Sequence, residues 1–192
     1  MKRFTIVFAI LLMASGAALA QTKDLGLGAF ANDNDPIMLA VDASVAIRDI
    51  NSPYAMFVIF MASKDQNKNI VVDRNGITMV YNDQEFKMPT YKEFQKGYSG
   101  EIRDIALYRH LGKEGIASSW IRFYDFPNEG DFFPPLLPRA RRITDEGSMS
   151  GVHGFMTKLY FKNPGFKKGD KLVIRVTAKN HPDLKGEVAI VL

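Results

Sequence analysis

Arg139, Arg141 and Arg142 place three guanidinium groups within four positions, the densest basic cluster in the chain. Arginine forks bind carboxylates and phosphates through paired hydrogen bonds, so the cluster suits an anionic partner. Phe132 and Phe133 stand just before it. Aromatic rings supply buried contact area and arginines supply directional contacts, a pairing enriched at binding hot spots. The expected partner-binding residues are therefore Phe132, Phe133, Arg139, Arg141 and Arg142. The competing expectation is that the apolar residues of this stretch cap an open sheet edge while the arginines stay solvated.

Catalytic signatures are weaker. Gly147-Ser148-Met149-Ser150-Gly151 has Met149 where a nucleophile elbow needs serine, and Gly97-Tyr98-Ser99-Gly100-Glu101 lacks the final glycine. His110, His153 and His181 are far apart, with neither H-x-H nor H-E-x-x-H spacing. The run from Gly26 to Ala31 matches G-x-G-x-x-A, but it lacks the strand before and the helix after that a dinucleotide site requires. Asn32–Asp35 and Asn128–Asp131 gather oxygen ligands, yet neither follows the spacing of a calcium loop. With no cysteine, thiolate metal sites, cysteine nucleophiles and disulfides are all closed. No catalytic residue, metal or cofactor is expected. A carbohydrate-binding or carbohydrate-active module is the alternative, with stacking on Tyr91, Tyr98, Trp120 or Phe133.

The clearest address is at the start. Met1-Lys2-Arg3 precedes an apolar run from Phe4 to Leu12, and Ala18-Leu19-Ala20 completes an A-x-A cleavage pattern before Gln21. This is the form of a secretory signal peptide occupying residues 1–20. A membrane-spanning helix needs about 20 apolar residues, which this run does not reach. Losing Lys2 and Arg3 lowers the formal charge from +4 to +2, too little field to attract nucleic acid. The expectation is a bacterial periplasmic or secreted protein with no membrane span and no nucleic-acid partner. An envelope protein or a glycan is the expected partner class.

Those functional residues need a scaffold. Residues 21–36 are expected to form a loose leader, and 37–192 a single domain. From Ile37 the apolar residues recur every second position through Ile47, the pattern of a half-buried strand. Tyr54–Ala62 is apolar on both faces and suits a central strand. Asn69–Asp73 and Ile77–Asn82 flank Arg74-Asn75-Gly76, which predicts a hairpin with Gly76 at positive φ. Gln84–Met88 suggests a further short strand. Thr90 and Glu93 form a capping box opening one short helix over 90–97. Ile102–His110 and Ala117–Phe126 are expected strands. Residues 155–162, 171–179 and 187–192 alternate cleanly between turn signals. The expected fold is all-β. It is a β-sandwich, immunoglobulin-like in strand count, with one long loop over 127–154 and at most one short helix.

Overall fold

Tyr54–Ser63 is apolar on both faces and buried along nearly its whole length, so the rest of the chain must cover it twice. The structure, a computed structural model, describes residues 22–111, 114–127, 130–134 and 142–192. Along the chain the first strands are β1 (Lys23–Gly26), β2 (Ala29–Asn32), β3 (Ile37–Asp42), β4 (Tyr54–Ser63) and β5 (Ile70–Asp73). Then come β6 (Ile77–Tyr81), β7 (Gln84–Lys87), β8 (Gly130–Asp131) and β9 (Arg142–Ile143). The last are β10 (Glu146–Met149), β11 (Phe155–Lys162), β12 (Lys171–Thr177) and β13 (Lys185–Val191). The helices are α1 (Ser44–Arg48), α2 (Tyr91–Gly97), α3 (Glu101–Leu111) and α4 (Glu114–Trp120).

The protein is β-rich, with several antiparallel sheets and short helices. Five strands run in the order β1-β2-β3-β4-β11, and four in the order β13-β12-β6-β7. Two smaller pairs, β10-β5 and β8-β9, complete the strand set among the described residues. β13 passes backbone to backbone against the start of β3. A Cβ added at Gly186 would lie 2.2 Å from the Ile37 carbonyl oxygen, so only glycine fits. The outer edge of β13 is blunted by side chains. Thr22 Oγ1 accepts from the Ala189 N–H, Asp35 accepts from the Glu187 N–H, and Asn32 donates to the Glu187 carbonyl.

Several expectations need correction. The supposed leader contains β1 and β2, joined by a turn in which Gly26, Leu27 and Gly28 all take positive φ. The strand from Ile37 ends at Asp42, not Ile47. Asp42 Oδ1 accepts the Ser44 N–H at 2.8 Å and turns the chain into α1. Ile102–His110 belongs to α3, which buries Ile105 and Tyr108 three residues apart, a helical interval. Of the strand expected over Ala117–Phe126, Ala117–Trp120 lies in α4 and the remainder makes only an isolated bridge at Asp125. Four α-helices among the described residues replace the single one expected. The one expected, over 90–97, is present with both halves of its capping box made by Thr90 and Glu93.

Arg74-Asn75-Gly76 is a single 3₁₀ turn and not a hairpin loop. β5 pairs with β10, while β6 pairs with β12 and β7. The tight hairpin comes one strand later, across Asn82-Asp83 at φ 50° and 60°. Gly76 is needed for space. An added Cβ would sit 2.4 Å from the Thr177 carbonyl oxygen. Gly76→Val is therefore expected to cost about 1–3 kcal/mol through overpacking, read as a lower urea midpoint. An unchanged midpoint would remove this close approach from the account.

Candidate functional site

The stretch 127–154 is held at both ends. β8 and β9 pair in parallel, Gly130 opposite Arg142 and Asp131 opposite Ile143, so the segment leaves and returns at one place. Phe132 and Phe133, expected among the contact residues, are completely buried, at 0% exposure. Phe133 packs on Phe94 and Tyr160, with ring centroids 4.9 and 5.0 Å away, and Phe132 on Phe155 at 5.4 Å. In this position they anchor the segment from beneath and offer no surface to a partner. Arg142 is exposed and lines a small polar cleft with Thr144, Glu146 and Ser148. Arg139 and Arg141 lie outside the described residues.

Beneath the segment is an ionic cluster that sequence spacing did not single out. Asp131 is 1% exposed. Its Oδ1 accepts from the Thr157 hydroxyl at 2.8 Å, the Lys158 N–H at 3.1 Å and the Phe133 N–H at 3.3 Å. Its Oδ2 lies 3.0 Å from the Lys158 ammonium, which also donates to the Pro134 carbonyl at 2.8 Å. Glu101, opening α3, brings Oε1 to 3.8 Å from the same ammonium. That oxygen is buried without a hydrogen-bond partner.

Burial pushes the Glu101 carboxyl up to about 7. The Lys158 ammonium opposes the shift, and the charges of Asp131 and Asp104 reinforce it. The folded protein thus holds a proton that the unfolded chain releases near the ordinary carboxylate value. The contribution of Glu101 to stability is fully favourable in acid and declines as pH rises from about 4.5 to about 7. The full shift corresponds to about 3 kcal/mol, which solvent screening of this half-buried group reduces to roughly 2 kcal/mol. Thermal midpoints of Glu101→Gln at pH 5 and pH 8 should lie closer together than those of the parent. An unaltered pH slope would sink this assignment.

A second network seats α3. Tyr98 donates to Asp104 Oδ2 at 2.7 Å, Ser52 Oγ lies 3.0 Å from the Tyr98 oxygen, and Arg103 spans to Asp49. Burial raises the Asp104 carboxyl and pushes the Tyr98 phenol up to about 12. On the other flank, the Arg74 guanidinium lies 4.7 Å from the Phe133 ring and 5.4 Å from that of Phe132. Its Nε pairs with Asp145 at 3.2 Å, while burial lowers its basicity.

The remaining motifs are structural. Gly26–Ala31 is the β1–β2 turn with β2 itself. Asp35 Oδ2 accepts from the Asn32 side-chain amide and from the Glu187 N–H of β13, and Asn32 Oδ1 accepts from the Asn34 N–H. Asp131 of the other oxygen cluster is the anchor just described. Among the described residues no group of three or more His, Asp or Glu side chains is placed to hold a metal ion. Exposed His153 lies 3.8 Å from exposed Asp125, without the burial that would strengthen such a pair. Of the candidate stacking rings, Phe133 is core, Tyr98 is in the α3 network, and Trp120 carries the Lys23 ammonium 4.4 Å above its face. Tyr91 is half-buried on α2. They do not form a row on one sheet face. No helix among the described residues is long and apolar enough to cross a membrane. No family model, curated protein or solved structure matches the chain.

Proposed function

We propose that the chain is an exported, non-catalytic binding module that recognises an anionic group on a cell-envelope or secreted partner. In this reading residues 1–20 direct export and are removed after Ala20, and the protein works in the periplasm or outside the cell. In the same reading the five- and four-stranded sheets are taken as the two layers of a β-sandwich, immunoglobulin-like in strand count. The contact surface is the arginine-bearing part of 127–154. One observation carries the reading: the ends of this segment are fixed side by side over a buried anchor, while Arg142 stands exposed at a cleft rim. Fixing the ends in advance reduces the entropy lost on binding.

Changing Arg139, Arg141 and Arg142 together to Ala tests this. Recovery of envelope components by the immobilised protein should fall at least tenfold, while the thermal midpoint holds, because exposed charges contribute little to stability. Unchanged recovery removes the proposal. A collapse of stability makes the arginines structural and removes it as well. Intact mass of the exported chain, expected to begin at Gln21, checks the address.

A further inference from the structure

We propose that Lys158 and Asp131 condense into a side-chain amide that covalently ties β8 to β11, with Glu101 relaying the protons. The geometry brings the reacting pair together and sets Glu101 beside it. The amine and the carboxyl group are side by side: Lys158 Nζ lies 3.0 Å from Asp131 Oδ2, the oxygen that leaves, with side-chain exposures of 9% and 1%. Groups fixed at this separation react as if at very high concentration, because the entropy of bringing them together has been lost on folding. The oxygen that develops charge is already provided for. Asp131 Oδ1 receives the Phe133 and Lys158 backbone N–H groups and the Thr157 hydroxyl, three donors converging as in an oxyanion hole.

The proton carrier is the third member. Glu101 Oε1 sits 3.8 Å from Nζ, buried and otherwise without a hydrogen-bond partner. Its environment keeps a large share of it protonated near neutral pH, the state a proton relay needs. The surroundings are aromatic: Phe132 and Phe133 follow Asp131 directly, and Tyr160 packs on Phe133. A dry site of this kind disfavours two separated charges and favours a neutral product.

The step balances without an oxidant or a co-reactant. One proton moves from Nζ to Oδ2, giving a neutral amine and a neutral acid. The Nζ lone pair attacks Cγ, and the C=O electrons move onto Oδ1. Glu101 gives its proton to the Oδ2 hydroxyl and takes one from Nζ. The Cγ–Oδ2 bond breaks, Oδ2 leaves as water, and the Oδ1 electrons restore the carbonyl. Glu101 ends as it began. The new amide keeps one N–H, which retains the Pro134 carbonyl as acceptor, and its oxygen retains the three donors. The bond closes a loop of the kind a disulfide closes. This chain, without cysteine, has no disulfide to do so.

Mass spectrometry of the purified exported protein tests the proposal. The intact mass of the exported protein should be one water below the sequence mass of residues 21–192. Trypsin should fail to cut after Lys158, and a branched peptide should join residues 123–139 to residues 143–162. Asp131→Ala and Lys158→Arg should restore the uncondensed mass. Because either variant risks misfolding, Glu101→Gln is the informative one. It keeps size and shape, should show an unchanged circular dichroism spectrum, and should condense about 100-fold more slowly or not at all. A parent protein that holds its full mass and is cut after Lys158 after prolonged incubation overturns the proposal. So does a water loss that maps to any other pair of residues. Condensation of Glu101→Gln at the parental rate overturns the relay on which it rests.

Discussion

Asp131→Ala is expected to lower stability by about 3–5 kcal/mol relative to parent protein in which Asp131 and Lys158 are still ion-paired, the cost of leaving a buried charge without its partner. The carboxylate collects the Thr157 hydroxyl, two backbone N–H groups and the Lys158 ammonium, so its removal strands the two N–H groups and leaves the ammonium with only the Pro134 carbonyl. Each stranded donor keeps its desolvation cost and loses its compensation. For a chain of this size the thermal midpoint should fall by roughly 10 °C. Asp131→Asn separates the two parts of the effect. An amide oxygen still accepts from Thr157 and the backbone, so the remaining loss reports the Lys158 charge. Adding Lys158→Met to Asp131→Ala should recover part of the stability, since the orphaned ammonium goes with it. A midpoint within 2 °C of the parent in Asp131→Ala would mean that the segment is not anchored here.

The legible part of the fold was the part decided locally. Tyr54–Ser63 shows its double burial in an unbroken apolar run, and Thr90 with Glu93 announces a helix start through side chains three residues apart. The helices α3 and α4 were not legible. Ile105 and Tyr108 are three apart, but Ile102, one turn earlier, is 71% exposed, so the apolar stripe that marks a helix breaks off. What seats α3 is Tyr98, Asp104 and Arg103 meeting Ser52 and Asp49, contacts some 50 residues apart in sequence. The anchor was hidden for the same reason. Lys158 occupies a position that alternation assigns to solvent, and in an ordinary two-faced strand it would point outward. Residues 131–134 cover that face of β11 and turn the lysine into a buried charge. Its partner lies 27 residues away in a run of loop-forming types. Phe132 and Phe133 were legible as anchors, but residue type alone does not say whether an anchor faces a partner or the core.

Phe133→Ala is expected to cost about 3–5 kcal/mol, as large truncations in sealed cores do. Its ring meets Phe94 on α2 and Tyr160 on β11, so one side chain joins the segment to a helix and to the five-stranded sheet. The Arg74 guanidinium 4.7 Å from the ring adds a second loss. Nη1 and Nη2 of Arg74 are buried without hydrogen-bond partners, so the aromatic faces add to the Asp145 pairing at Nε in favouring a charge there. A double-mutant cycle with Arg74→Met should return a coupling of about 1 kcal/mol between the two residues. The same variant separates an anchoring ring from a contacting one. A ring that only met a partner would leave the free protein's midpoint unchanged on truncation and weaken binding alone. A ring that anchors lowers the midpoint first, and binding weakens only as the segment loosens. Urea unfolding of Phe133→Ala, followed by partner recovery at a temperature where the variant is still folded, distinguishes the two orders. Full stability with lost binding would return Phe133 to the surface and remove the anchor from beneath 127–154.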